Sequence, residues 1–322
     1  MTKLDEQLEA GLCGDFVTGQ RIADELEVET PKCPAGAFNR GWYELRKGNL
    51  QKGHTLLDCG RHINVFGNRH IGSTRPIWNG ETGATVLLNL EGGLGDQING
   101  VRFAKNLSEY GNKVIVSGSS SLAETLVDCE GVSAFVQNEA CLGVYHDYWL
   151  PSMSAVVPLK LEYKDLSGKP YIKRLSKSEG KVGIRWSGNP EFEHQQHRLF
   201  DKKLMFDAVN NADCISLQKD EVSPDWMEQP SLDTWENTRK QVSRCDLVIT
   251  SCTSIAHLAG AMGIETWIVV PILPYYLWAL PGSVTPHYSS VTLFRQEKYG
   301  QWEELFIKIK SMLDNLAERK VA

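Results

Sequence analysis

The sequence contains no run of about 20 apolar residues, the length a helix needs to cross a bilayer. Its first residues are too acidic and too interrupted for a secretory signal, so a cytoplasmic location is expected. It has no C-x-x-C pair. Its eight cysteines, at 13, 33, 59, 129, 141, 214, 245 and 252, are scattered through a chain long enough to hold together without cross-links, and they read as reduced thiols. Nor is there an excess of positive charge: a formal net charge of -6 supplies no overall field toward nucleic acid or anionic membrane. What is present is the composition of a globular protein, 322 residues with 42% hydrophobic and 23% charged, enough for two cores.

Two stretches alternate between strand and helix signals around small polar loops. In the first, the apolar run 84–90 (ATVLLNL) enters the glycine loop 91–99 (EGGLGDQIN) and then a helical segment, VRFAKNLSEYG. A second strand at 113–117, a helix at 121–128 and a third strand at 132–136 continue the pattern. In the second, 243–270 (SRCDLVITSCTSIAHLAGAMGIETWIVV) reads as strand, hydroxyl-rich loop, helix, strand. Such a loop brings N–H groups and hydroxyls to a helix N-terminus, where the dipole favours an anion such as phosphate. Gly93, Gly95 and Ile98 fall on a G-x-G-x-x-G fingerprint whose third glycine is missing. The second strand ends in Ser117, Gly118 and Ser119, without the acid that would hold the ribose of a nicotinamide dinucleotide, so that reading loses its second support.

Residues 1–60 read as helical, with acidic segments to residue 30. The stretch 38–58, FNRGWYELRKGNLQKGHTLLD, is similar to a single tetratricopeptide repeat. A lone repeat cannot bury its own face, so it is either a collar on the body or a surface for a partner. Residues 61–82 lack any period and are expected to be an extended surface connection, in which His62, Arg69, His70 and Arg75 either meet an acidic acceptor or are solvated. The first α/β domain is assigned to 83–172 and the second to 173–322, with the Pro-punctuated stretch 145–173 as the expected linker. The second half opens with a strand at 181–186 and the loop Ser187, Gly188, Asn189, and it closes with an amphipathic helix at 302–316.

Two α/β halves, each ending strands in polar loops, resemble the GT-B glycosyltransferases: an α/β fold of two Rossmann-like domains facing across a cleft, here with a short helical repeat-like region in front. More narrowly, RPIWNGE at 75–81, the 91–99 loop with Leu94, Gly95 and Asp96, VGIRWSGNP at 182–190, SLQK at 216–219, the 243–270 unit and LFRQ at 293–296 followed by Trp302 are similar to tetratricopeptide-linked proteins of the heptosyltransferase type, glycosyltransferase family 9. The resemblance implies an inverting, metal-independent transfer of a hexose, pentose or heptose from a nucleotide diphosphate sugar, with no cofactor. The acceptor it implies is a hydroxyl, with a glycan, lipopolysaccharide, protein or modified nucleic-acid base all left open.

The resemblance makes Asp96 the base, at a helix start where the dipole would favour its anionic form and lower its pKa; the alternative is a helix N-cap. It places the donor against Gly93, Gly95, Ser187, Gly188, Asn189, Arg198, Gln218, Lys219, Cys252, Thr253, Ser254 and His257. Gln97, Arg69, His70 and Arg75 are candidates for the acceptor. Arg198 either clamps phosphate oxygens or is solvated. His194 and His197 form an H-x-x-H without a third ligand nearby, and no D-x-D motif occurs, so no metal is expected. The family it resembles commonly carries an aspartate where this chain has Cys252, whose thiol pKa would fall at a helix N-terminus. That departure motivates a second reading, a degenerate GT-B fold that binds a glycan or partner without turnover.

Overall fold

The computed structural model describes residues 1–67, 71–189, 195–209 and 212–321. Helices α1 (Lys3–Leu12) and α2 (Phe16–Glu29) are opened by Thr2 and Asp15, whose side chains each accept a backbone N–H of the first turn. They are followed by α3 (Pro34–Arg46), with proline in its first turn, and α4 (Leu50–Leu57). The backbones of α3 and α4 almost touch. A Cβ on Gly41 would lie 2.8 Å from the Gly53 carbonyl oxygen, and one on Gly53 would overlap Leu45.

A 3-10 turn at Asp58–Ile63 leads into the connection to the first sheet. This connection does more than run over the surface. Phe66 and Trp78 are buried, and the Trp78 N–H donates to the Trp149 carbonyl at 2.9 Å. Single aromatics in an aperiodic stretch carry no pattern that announces this.

The first sheet comprises β1 (Thr85–Asn89), β2 (Lys113–Gly118), β3 (Val132–Gln137) and β4 (Tyr148–Pro151), with α5 (Leu94–Gly100), α6 (Phe103–Glu109) and α7 (Ala123–Leu126) between them. Its strands are parallel in the order β3-β2-β1-β4. The fourth strand lies inside the stretch expected to be a linker; Tyr148, Trp149 and Leu150 form it, and Pro151 is tolerated at its end.

The second domain is β5 (Lys181–Arg185), α8 (Gln195–Arg198), α9 (Lys202–Val209), β6 (Cys214–Ser216), α10 (Trp235–Ser243), β7 (Cys245–Ser251), α11 (Ser254–Ala261), β8 (Glu265–Val270), β9 (Val291–Arg295) and α12 (Glu303–Val321). Its sheet is parallel in the order β6-β5-β7-β8-β9. Sheets covered on both faces need strands that are apolar throughout. Val86, Leu87 and Leu88 in β1 and Ile268, Val269 and Val270 in β8 meet that demand, all being buried. Helix α12 lays Leu305, Phe306 and Ile309 on the far side of the second domain, with Ile184 and Met205.

The domains meet through α5 and α11, where Ile98 and Val101 share one core with Ile255 and Leu258. Beside them the Arg102 guanidinium lies 4.8 Å from the Tyr171 ring and 4.7 Å from the Tyr288 ring. Among the described residues, no helix is long and apolar enough to cross a membrane.

Candidate active site

In open parallel sheets, ligands bind beyond the carboxyl ends of the strands, where the strand order reverses. In the first sheet that point is the end of β1, which delivers Gly92 to Asp96. In the second it lies between β5 and β7, which deliver Gly188 and Asn189, and Cys252 to Ser254. These loops face one another across a cleft of about 1600 Å³, whose further walls come from α1, α3 and the 271–276 loop.

The α5 N-terminus is built for close approach. Gly92 has a φ of +71°, and a Cβ there would lie 2.7 Å from the Asp96 carboxylate. A Cβ on Gly95 would come within 2.7 Å of the His257 ring and 3.3 Å of Ser254 Cα, so this glycine lets α5 and α11 meet end to end. Asp96 Oδ2 accepts the Gly93 N–H at 3.0 Å, and Oδ1 accepts the Tyr275 hydroxyl, also at 3.0 Å, from the opposite domain. The expected lowering of its pKa is overturned. Asp96 keeps an accessible face on the cleft, but the protein walls around it strip its carboxyl of water and push it up to about 6, against the pull of the Tyr275 and Gly93 hydrogen bonds. The charge of Glu91 adds to the rise.

Opposite Asp96, the first turn of α11 has no side-chain cap. The Thr253 hydroxyl pairs with that of Thr250 at 3.2 Å and the Ala256 N–H turns back to the Thr253 carbonyl at 3.0 Å, so no side chain caps the Ser254 and Ile255 N–H groups of a first turn that lines the cleft. Arg198 crosses between the two second-domain loops, donating to the Cys252 carbonyl at 2.7 Å and the Asn189 carbonyl at 3.4 Å. Gly188 makes room for it, since a Cβ there would lie 2.6 Å from the guanidinium. Lys219 and His197 also reach the cleft.

His257 is buried and held neutral, its pKa pushed down to about 3 by burial and then by Arg102. Its ring stacks on Trp278, and Nδ1 meets the Tyr288 hydroxyl at 3.0 Å. Because that hydroxyl donates to Asn99 at 3.2 Å, the network assigns the His257 proton to Nδ1 and leaves Nε2 an acceptor on the Gly95 side.

Other candidates stand elsewhere. Ser187 and Gln218 bond each other, the Ser187 N–H donating to Oε1 at 3.1 Å and Nε2 donating to the Ser187 hydroxyl at 2.8 Å; they tie the β5 and β6 loops together. Gln97 is buried, receiving the Ser119 N–H at 2.8 Å and donating to the Gly92 carbonyl at 3.3 Å. Arg75 lies over the Tyr145 ring at 5.8 Å, away from the cleft lining. Arg69, His70 and His194 fall outside the described residues. Cys252 is no incipient thiolate. Burial pushes its thiol up to about 11, and its sulfur accepts the Trp278 indole N–H at 2.9 Å.

Three residues of the site were not singled out from the sequence: Arg185, Tyr275 and Trp278. Arg185 ends β5, lines the cleft and donates to the Leu217 carbonyl at 3.0 Å and to Asp220 at 3.2 Å. An arginine closing an otherwise buried strand was a readable signal; nothing local marked Trp278. Among the described residues no group of three or more His, Cys, Asp or Glu side chains could hold a metal ion.

No family model matches the chain, and no curated protein matches it in sequence. Among solved structures it is similar to the bacterial iron-containing dodecameric glycosyltransferase TibC from enterotoxigenic E. coli H10407, with a TM-score of 0.52 and 10% identity over 78% of this chain and 79% of that one. A second TibC structure, described as a heptosyltransferase in complex with ADP-D-beta-D-heptose, gives a TM-score of 0.43 and 11% identity over the same shares. The likeness is one of fold: two Rossmann-like domains facing across a cleft, the GT-B arrangement.

Proposed function

We propose that the protein is a glycosyltransferase that moves a sugar from a nucleotide diphosphate sugar to an acceptor hydroxyl by a single inverting displacement. The observation that carries this reading is the opposition of Asp96 to the uncapped α11 N-terminus and Arg198 across one cleft. In the proposed step the Asp96 carboxylate takes the acceptor proton while the acceptor oxygen bonds to the anomeric carbon. The bond from that carbon to the β-phosphate oxygen breaks, and the nucleoside diphosphate leaves with the electron pair. The α11 N–H groups and Arg198 receive its charge, with Lys219 beside them.

A carboxyl that titrates near 6 suits the base role, since it is ionised at neutral pH and still basic enough to accept a proton. No metal enters this step. The iron named for the TibC structure is a property of that protein.

The test is transfer or donor hydrolysis with a panel of UDP-, GDP- and ADP-sugars, ADP-heptose included. Asp96→Asn should lower turnover by roughly 10²-fold or more while nucleotide binding persists. Cys252 supports a second reading, a fold that binds without turnover, because the family resemblance implies an acid where this chain has a cysteine. Nucleotide-sugar binding by the parent with no turnover of any donor would favour it.

A further inference from the structure

We propose that Tyr275 is a positioning residue for Asp96, holding the base from the opposite domain, and that the N-terminal helices serve the reaction by bracing the loop that carries it. The proposal rests on Asp96 being the base. Tyr275 follows β8 on the 271–276 loop, and its hydroxyl donates to Asp96 Oδ1 at 3.0 Å, leaving Oδ2 to the Gly93 N–H. One oxygen is thus oriented by its own helix and the other by the second domain.

The helical region grips this loop at several points. The Trp42 indole N–H donates to the Pro274 carbonyl at 2.9 Å. Gly11 and Gly14 lie against Leu273 and Ile272, and Tyr276 packs edge-on to His54 and Phe66. The loop that brings Tyr275 to Asp96 across the domains is thus packed against the helical region.

The groups facing Asp96 make its titration readable. On its own loop is Glu91, ion-paired to Arg61. From the 271–276 loop come Tyr275 and Tyr276, both held protonated far above their ordinary range by burial. From β7 and α11 come the Cys252 thiol, at about 11, and the neutral His257, at about 3. None of these tyrosine, cysteine or histidine side chains changes charge between pH 5 and 8, so none of them masks the Asp96 carboxyl in that window.

A hydroxyl that donates to a carboxylate stabilises its charged form. Tyr275→Phe should therefore move the acid limb of kcat/KM to higher pH by at least about half a unit. At pH 6.5 kcat/KM should fall by at least about 1.5-fold, and it should recover toward the parent at pH 8.5. Replacing Tyr275 by 4-aminophenylalanine, which keeps a donor in place, should leave the limb near its parent position.

The same shift should appear without any substrate, in a carbon-13 NMR titration of the aspartate carboxyls, with Asp96→Asn identifying the resonance. An unchanged limb and an unchanged Asp96 titration in Tyr275→Phe would overturn the proposal. Should no donor be turned over, the proposed function fails, while the NMR titration still decides whether Tyr275 holds Asp96. If Tyr275→Phe does not fold, Trp42→Phe tests the brace: it should shift the Asp96 midpoint in the same direction, and no shift would count against the proposal.

Discussion

Arg198 and Cys252 share a hydrogen bond yet differ in what they can do. The guanidinium spans two loops at the mouth of the α11 N-terminus, with charge to offer a diphosphate. A charge-assisted hydrogen bond contributes about 1.5–3 kcal/mol, so Arg198→Ala should weaken nucleoside diphosphate binding by roughly 10- to 100-fold, measured by calorimetry. Cys252 is buried as a neutral thiol under Trp278, and iodoacetamide at pH 8 should label the exposed Cys13 while sparing Cys252 in the folded protein. Only part of this was legible in the sequence. Asp96, Gly95 and Thr253 sit in loops whose composition announces a strand-to-helix turn. The direction of the Asp96 and Cys252 shifts was not readable, because helix position is local information whereas the desolvation that dominates comes from residues that only the fold brings around them, Tyr275 of the opposite domain at Asp96 and Trp278 at Cys252.

At the scale of elements, periodicity found most of the helices and most of the buried strands, and it missed α8 in a polar run and what close packing decides. Strand β4 was hidden by Pro151 and by its lack of alternation, while Phe66 and Trp78 were hidden in a stretch without period. The α3–α4 pair shows a contact that glycine alone permits. A methyl on Gly41 would meet the Gly53 carbonyl oxygen and the Leu57 backbone nitrogen at 2.8 Å, neither of which can turn aside. Overpacking of this kind costs about 1–3 kcal/mol, so Gly41→Ala should lower the thermal midpoint, whereas an alanine at the open Gly143, with nothing within 4 Å, should leave it nearly unchanged.

Across the whole molecule, three histidines are buried neutral around the junction of the domains and the helical region. Burial depresses His54 to about 4, His257 to about 3, and His287 well below its ordinary value of 6.5. Between pH 6.5 and 4 the unfolded chain therefore binds protons that the fold refuses, and stability must fall as the pH falls. Asp96 acts in the opposite sense between about pH 4 and 6, since its folded form holds a proton longer than the unfolded chain does, which offsets about one of the three. A net uptake of about two protons implies a loss of up to about 3 kcal/mol per pH unit, to be read from urea midpoints at pH 7, 6 and 5. The same junction aligns the two loops that make up the proposed donor site. Calorimetric titration of the intact protein with UDP, GDP and ADP tests that claim most directly. The account predicts that at least one binds with 1:1 stoichiometry, that Arg198→Ala weakens it at least about 10-fold, and that Asp96→Asn leaves it bound. No measurable binding of any of the three to the parent protein would contradict it.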